Sequence, residues 1–206
     1  MRELVLKMSI PLDGFVAGPN GEADWIFRNR GVDSTEWIVE TLQQAGAHAM
    51  GSRSFYGWAA FWPYSGSPLA PPMNDIPKIV FSRKGIKDGT QADAKEDRIG
   101  DQQHVAPTAA VLRSWAEPTV ACGDLVEGVA RLKEQSGGFI LAHGGTNFAQ
   151  SLVAAGVIDE YRLIVHPVAL GRGLPLFSAL PRPLTLRLIT RVSFDSGAVG
   201  EVYRAA

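Results

Sequence analysis

The segment FILAHGGTNFAQSLVAAG, residues 139–156, constrains the fold most, because an apolar run passes through two glycines directly into a helical pattern. The run FILA predicts a buried strand. Phe148, Leu152 and Ala155 recur at helical spacing, and Gly156 suits a left-handed helix end. A strand that leads at once into a helix is typical of a parallel α/β sheet.

The rest of the chain repeats this alternation of apolar runs and helical patterns. Asp33 followed by Glu36 predicts a helix that begins with a capping box and ends at a left-handed Gly46. Asp124 followed by Glu127 predicts the start of another helix. Further strands are predicted at residues 4–10, 47–51, 77–82, 118–123 and 160–170.

The C-terminal segment, Leu184 to Tyr203, alternates apolar and polar residues and predicts a hairpin that turns at residues 195–197. Together these patterns predict an α/β fold of three layers. Its central mixed sheet is mostly parallel, helices flank it, and an antiparallel hairpin forms one edge. The length of 206 residues predicts a single domain over residues 1–206.

Composition excludes several classes of protein. Twenty Lys and Arg against 21 Asp and Glu leave a net charge of -1, without the basic excess typical of nucleic-acid binding. Cys122 is the only cysteine and the four histidines are scattered, so we expect neither a disulfide nor a metal site. Charged Glu3 and Lys7 argue against a secretory signal, and no run has the ~18–20 apolar residues of a membrane span. We therefore expect a soluble, cytoplasmic protein.

Three predicted strand ends carry residues suited to anions. Glycine turns let backbone N–H groups approach a phosphate, a helix N-terminus adds partial positive charge, and arginine offers a fork of N–H donors. A plain strand-to-helix turn and a surface arginine are the alternatives, and the usual G-x-G-x-x-G and P-loop motifs are absent. In parallel sheets these ends share one edge, which favours a nucleotide site. The residues are Gly51, Arg53, Ser54, Ser82, Arg83, Gly144, Gly145 and Thr146.

Two further segments are predicted as loops. Residues 57–77 combine aromatic side chains with five prolines, and residues 84–104 are polar and charged. Whether the second loop covers a site or lies on the surface is left open by its composition.

Several blocks together resemble the dihydrofolate reductase-like superfamily, and more closely its branch with the reductase domain of riboflavin-biosynthesis enzymes. The resemblance spans roughly residues 2–204. The blocks are SIPLDGFVAGPNG, MGSRSF, KIVFSRK and ILAHGGTNFAQSLVAAGVIDEYRLIVHPVALGRGLPLF.

The resemblance implies a sheet of about eight strands with NADPH across its C-terminal edge, and a homodimer. It places the loop from residue 13 to 21 beside the nicotinamide and the substrate, with the backbone of Ala17 near the nicotinamide amide. The pyrophosphate would lie on Gly144, Gly145 and Thr146. The implied contacts to the other phosphates are Gly51, Arg53 and Ser54, and those to the 2′-phosphate are Ser82 and Arg83.

The proton donor is less clearly implied. Dihydrofolate reductases carry an acid after a W-x-L-P-x-[DE] stretch, which residues 25–27 follow only in part. Glu36 and Asp13 are the candidate acids, with a helix cap and an Asp-Gly turn as the respective alternatives. His143 and His166 are interpreted as structural histidines. Arg28 and Arg30 are candidates for a substrate phosphate, or belong to a solvated loop.

These observations predict an NADPH-dependent reductase that transfers hydride to a pteridine- or pyrimidine-like heterocycle. The alternative is a nucleotide-binding protein without turnover, which the missing acid favours.

Overall fold

The computed structural model of the protein describes residues 1–28, 30–86 and 104–206, and in these residues ten strands and seven α-helices form. The strands are β1 (Leu4–Pro11), β2 (Phe15–Ala17), β3 (Ala45–Gly51), β4 (Lys78–Phe81), β5 (Thr119–Ala121), β6 (Phe139–Ala142), β7 (Glu160–His166), β8 (Leu174–Pro175), β9 (Leu186–Ser193) and β10 (Val199–Ala205). The helices are α1 (Trp25–Arg28), α2 (Val32–Gln43), α3 (Ser52–Phe61), α4 (Ala70–Asp75), α5 (Ala109–Ala116), α6 (Leu125–Lys133) and α7 (Thr146–Ala155), and a 3-10 turn covers Trp62–Tyr64.

Eight strands form one sheet in the order β5-β4-β3-β6-β1-β7-β10-β9. The six strands from β5 to β7 are parallel, and β10 is antiparallel to both of its neighbours. β2 and β8 form a separate antiparallel pair. The predicted mostly parallel sheet with an antiparallel C-terminal hairpin is therefore confirmed.

Side-chain alternation in β1 divides the core into two layers. Leu4 and Leu6 pack in a cluster with Leu152 of α7 on one face of the sheet. Val5 packs on the other face with Ile38 of α2. Because the strand period is two, Lys7 follows Val5 onto the α2 face. It lies in the middle of β1, directly after Leu6, the last residue that pairs with β6.

The residues that cap the start of α2 differ from the predicted ones. The helix is capped by Gly31, whose N–H donates to Oγ of Ser34 at 3.0 Å. Asp33 accepts from the N–H of Ser34 and, at 2.7 Å, from that of Asp195, so it connects the helix to the C-terminal hairpin. Glu36 is exposed, and its predicted part in a capping box is wrong.

The prediction that Gly46 is a left-handed helix cap is also wrong. α2 ends at Gln43, Gln44 is the right-handed cap, and Gly46 lies inside β3. A Cβ at Gly46 would stand 2.8 Å from the backbone nitrogen of Gly138. The glycine is needed because two backbones approach each other closely there.

The segment 57–77, predicted as a loop, is mostly helical, since it holds the end of α3, the 3-10 turn and α4. α5 was not predicted at all. The predicted strand over 160–170 ends at His166. Of the predicted loop 84–104, residues 87–103 lie outside the described residues.

None of the described helices is both long and apolar enough to cross a membrane.

Candidate active site

A large open cleft runs along the carboxyl ends of the parallel strands. Its volume is about 2070 Å³, whereas single small-molecule pockets usually measure roughly 300–1,000 Å³. The cleft can therefore accommodate two ligands side by side. Every residue proposed above for the cofactor lines it: Ala17, Gly51, Arg53, Ser54, Ser82, Arg83, Gly144, Gly145 and Thr146.

The Gly144-Gly145 turn has the geometry of an anion cradle. Both glycines have positive φ, +78° and +79°, a region that other residues rarely adopt. α7 begins immediately after them, and Gly145 provides no side-chain cap for its first N–H groups. These N–H groups and the helix dipole favour a negatively charged group at this point.

The same glycines let α3 approach the turn. A Cβ at Gly145 would lie 2.9 Å from Oγ of Ser54, and one at Gly144 would collide with the indole of Trp58. Glycine at both positions thus brings Ser54 and Trp58 against the start of α7, and the two sides of the predicted phosphate site meet there.

The cleft is strongly basic. Of the residues that the structure describes, five with cationic side chains line it: Lys7, Arg30, Arg53, Arg83 and Lys84. Among the described lining residues Asp124 alone carries a carboxylate, and its Oδ1 caps α6 by accepting from the N–H of Glu127 at 3.0 Å. This excess of positive charge favours anionic ligands.

Lys7 is the functional candidate that the sequence analysis missed. It lies half-buried in β1, and burial, helped by the positive charge of Arg30, lowers the pKa of its ammonium group to about 7. A lysine inside an otherwise apolar strand was the available signal. It was used only to argue against a secretory segment.

Two histidines form a buried hydrogen-bonded pair beside the cleft. Nε2 of His143 lies 3.0 Å from Nδ1 of His48, and Nε2 of His48 lies 3.0 Å from the carbonyl oxygen of Pro72. Burial lowers the pKa of His48 to about 4 and that of His143 well below its usual value. His143 lines the cleft, whereas His48 is fully buried behind it.

His166 has a different environment. It packs edge-on against Trp25 with ring centroids 5.3 Å apart, and both of its ring nitrogens are buried without a hydrogen-bond partner in the described part of the chain. Burial, with the charges of Lys7 and Arg30, lowers its pKa to about 4. The ring is therefore neutral at physiological pH.

The two candidate acids lie outside the cleft. Oδ2 of Asp13 accepts from the backbone N–H groups of Leu170 and Gly171 at 2.8 and 2.7 Å, which ties two loops together. Glu36 is exposed on α2. Neither Asp13 nor Glu36 is therefore placed to reach a ligand in the cleft.

The two arginines proposed for a substrate phosphate differ. Arg30 lines the cleft above the ring of Phe27, and Arg28 does not line it.

The described residues also contain no group of three or more His, Cys, Asp or Glu side chains that could hold a metal ion.

The chain belongs to the RibD C-terminal domain family, which matches residues 2–199. It is 29% identical over 207 residues to YyaP of Bacillus subtilis (strain 168), described as an uncharacterized protein, with 98% of this chain and 94% of YyaP covered.

Two solved structures share the fold at lower identity. One is the diaminohydroxyphosphoribosylaminopyrimidine deaminase/5-amino-6-(5-phosphoribosylamino)uracil reductase of Thermotoga maritima, with a TM-score of 0.68 and 16% identity over 100% of this chain and 57% of that one. The other is the dihydrofolate reductase of Enterococcus faecalis in complex with NADP(H), with a TM-score of 0.53 and 12% identity. The match covers 98% of this chain and 96% of that one. The fold is thus dihydrofolate reductase-like, as the sequence analysis expected.

The lowered pKa of Lys7 predicts a pH-dependent stability. Between about pH 8 and pH 9.5 the unfolded chain carries a protonated Lys7 and the folded chain a neutral one, so folding becomes more favourable as pH rises. Relative to Lys7→Met, the unfolding free energy of the natural protein should rise by roughly 1.4 kcal/mol per pH unit in this window. Urea unfolding of both proteins across the window measures it, and a constant difference between them would show an ordinary lysine.

Proposed function

We propose that this protein is an NADPH-dependent reductase that transfers hydride to a pteridine- or pyrimidine-like heterocycle. One observation carries the proposal: the ends of β3, β4 and β6 and the β2 loop bring all nine cofactor candidates into one cleft. The Enterococcus faecalis neighbour in complex with NADP(H) supports the cofactor, and the Thermotoga maritima uracil reductase supports the heterocycle.

The residues present fit the dinucleotide. The pyrophosphate would lie on Gly144, Gly145 and Thr146, where positive-φ backbone and an uncapped helix start offer N–H donors. Arg53 and Ser54 would contact it from α3. Bound NADPH supplies the hydride, and the protein supplies orientation and a shielded pocket.

Arg83 and Ser82 differ in what they can give to the 2′-phosphate. Oγ of Ser82 donates to the carbonyl oxygen of Gly85 at 2.6 Å, so it shapes the turn after β4. Arg83 is exposed at the rim of the cleft, where its guanidinium can form two charge-assisted hydrogen bonds to a phosphate.

The other end of the cleft suits a flat heterocycle. Aromatic side chains from α1, α3 and the 3-10 turn line it, among them Phe27, Trp58 and Phe61, and such rings stack on planar ligands. Reduction of a C=N bond needs a proton as well as a hydride. Because the pKa of Lys7 is lowered to about 7, its ammonium group can release a proton near neutral pH.

A nucleotide-binding protein without turnover is the alternative, and the observation that favours it is the lack of a carboxylate at the substrate end among the described residues. NADPH oxidation, followed by absorbance with 5-aminouracil derivatives and dihydropterins, separates the two functions. We expect steady oxidation that Lys7→Met reduces. Cofactor binding without oxidation of any of these compounds would favour the alternative.

The position of Arg83 predicts a preference for NADPH over NADH. Arg83→Ala should weaken NADPH binding by about 1–3 kcal/mol, because a charge-assisted contact to the 2′-phosphate is lost, and leave NADH binding nearly unchanged. Calorimetric titration with both cofactors measures the effect. Arg113→Ala, an exposed position on α5 outside the cleft, is the matched control. Equal affinities of the natural protein for both cofactors would contradict the assignment.

The two ends of α7 provide a matched test of the glycine turn. Gly145 and Gly156 both have positive φ, +79° and +65°. Alanine at Gly156, where the space is open, should cost about 1 kcal/mol of stability. Alanine at Gly145 should cost more, because its Cβ also meets Oγ of Ser54. Only Gly145→Ala should weaken NADPH binding, by about tenfold or more, and Gly145→Val should abolish it. Melting temperature and cofactor titration on the same samples distinguish the effects. Native affinity in Gly145→Val would remove this turn from the site.

We also propose a homodimer in the cytoplasm. β9 is an edge strand with exposed apolar side chains, among them Leu188, Ile189 and Val192, and such an edge is open to pairing with a second copy. Light scattering at micromolar concentration should give about twice the 22.2 kDa of one chain. A mass of one chain would contradict the dimer.

A further inference from the structure

Three side chains of the substrate end lie on the same face of the sheet. Leu6 of β1 pairs with Ala142 of β6, so the next step along both parallel strands sets Lys7 beside His143. His48 lies on the adjacent strand β3, on the same face, and bonds to His143. Lys7 and His143 both line the cleft.

The hydrogen bonds fix where each imidazole proton lies. The carbonyl oxygen of Pro72 can only accept, so Nε2 of His48 must carry a proton and donate to it. In a neutral ring this leaves a lone pair on Nδ1 of His48, which accepts from Nε2–H of His143. Burial keeps both rings neutral, because it lowers both pKa values. Nδ1 of His143 therefore has no proton.

That unprotonated nitrogen is accessible from the cleft. Nδ1 of His143 has no hydrogen-bond partner among the described residues, yet it is not one of the fully buried unpartnered atoms, unlike the nitrogens of His166. The indole of Trp58 packs against the ring at a centroid distance of 4.9 Å and limits its rotation. The ring thus presents one acceptor in a fixed direction.

We propose that Nδ1 of His143 is a hydrogen-bond acceptor for a ring N–H of the substrate, and that His48 is the positioning residue that holds it in this form. Lys7, beside it, donates to a neighbouring carbonyl oxygen. This inference rests on the proposed function and deepens it, since it names the substrate as a heterocycle with a lactam edge, an N–H next to a C=O.

The acceptor also defines what this part of the cleft rejects. An aminopyrimidine without a lactam would place a ring nitrogen with a lone pair opposite the lone pair of Nδ1 of His143. Both acceptors would then lack a hydrogen-bond donor, which costs binding energy. A phosphate oxygen would meet the same lone pair. We therefore expect the anionic groups of the ligands at the backbone N–H groups of the Gly144-Gly145 turn and at the arginines of the cleft, and not at Nδ1 of His143.

The tautomer is measured directly by nitrogen NMR on protein labelled with ¹⁵N-histidine, without any ligand. We expect Nδ1 of His143 to have the shift of an unprotonated nitrogen in the natural protein. His48→Asn, whose Oδ1 can still accept from His143, should preserve that signal, and His48→Leu should let the proton redistribute between the two nitrogens. A protonated Nδ1 in the natural protein would overturn the proposal.

Recognition is measured with a matched pair of probes, 5,6-diaminouracil and its 1,3-dimethyl analogue, which keeps both carbonyls but has no ring N–H. With NADPH present, the natural protein and His48→Asn should prefer the unmethylated probe by about tenfold, the equivalent of one hydrogen bond. His48→Leu and His143→Leu should lose most of this preference.

Three outcomes would overturn the assignment even if His48→Leu does not fold. They are that the natural protein does not prefer the unmethylated probe, that it binds neither probe, and that His143→Leu keeps the full preference. Failure of the proposed function looks different: the preference and its loss in His143→Leu are observed, but no NADPH is oxidised. In that case the recognition by His143 stands and the hydride transfer does not.

Discussion

The parallel pairing of β3, β6 and β1 is the constraint on which the site depends. Parallel strands end at the same edge, so residues far apart in the chain, such as Lys7, Arg53 and Gly145, meet there without any long loop. The core on both faces holds this register, because a shift by one residue would exchange the buried faces of every strand. Hydrophobic packing thus positions the polar groups of the cleft.

The cleft contains two cationic side chains, Lys7 and Arg30, whose burial destabilises the folded state. Lys7 and Arg30 lie close together and partly buried, with no carboxylate between them among the described lining residues. Burial lowers the pKa of both groups, and the charge of Arg30 lowers that of Lys7 further. Other buried charges have polar partners of several kinds: Glu160 pairs with Arg162 at 2.8 Å, and Nζ of Lys78 donates to Oγ of Ser114 at 3.0 Å. Two partly buried cations that line one cleft without a carboxylate partner among the described residues favour a ligand there, where an anion or a carbonyl group completes the pairing.

Several local signals in the sequence predicted the structure correctly, although the capping box at Asp33 and Glu36 was also a local signal and was wrong. The turn at Gly144, the cap at Asp124 and the hairpin depend on neighbours within a few residues, and all three were predicted. Gly46 was misread because its need for glycine comes from Gly138, a residue far away in the chain that directly precedes β6. The significance of Lys7 and His48 likewise depends on side chains that only the sheet register brings near them, although a lysine in an apolar strand was a usable signal.

The proposed cofactor and substrate ends of the cleft share α3, and their other residues come from different elements. The proposed cofactor end consists of strand ends, of the backbone turn at Gly144-Gly145 and of the side chains of Arg53 and Arg83. The substrate end consists of side chains from β1, α1 and α3, together with the buried bond from His48 to His143. Under the proposed function, substitutions at the substrate end would change its polarity and hydrogen-bonding direction. The lack of a carboxylate there among the described residues is compatible with the dinucleotide site proposed at the other end, and Lys7 and His143 are the proposed determinants of which ring lies beside it.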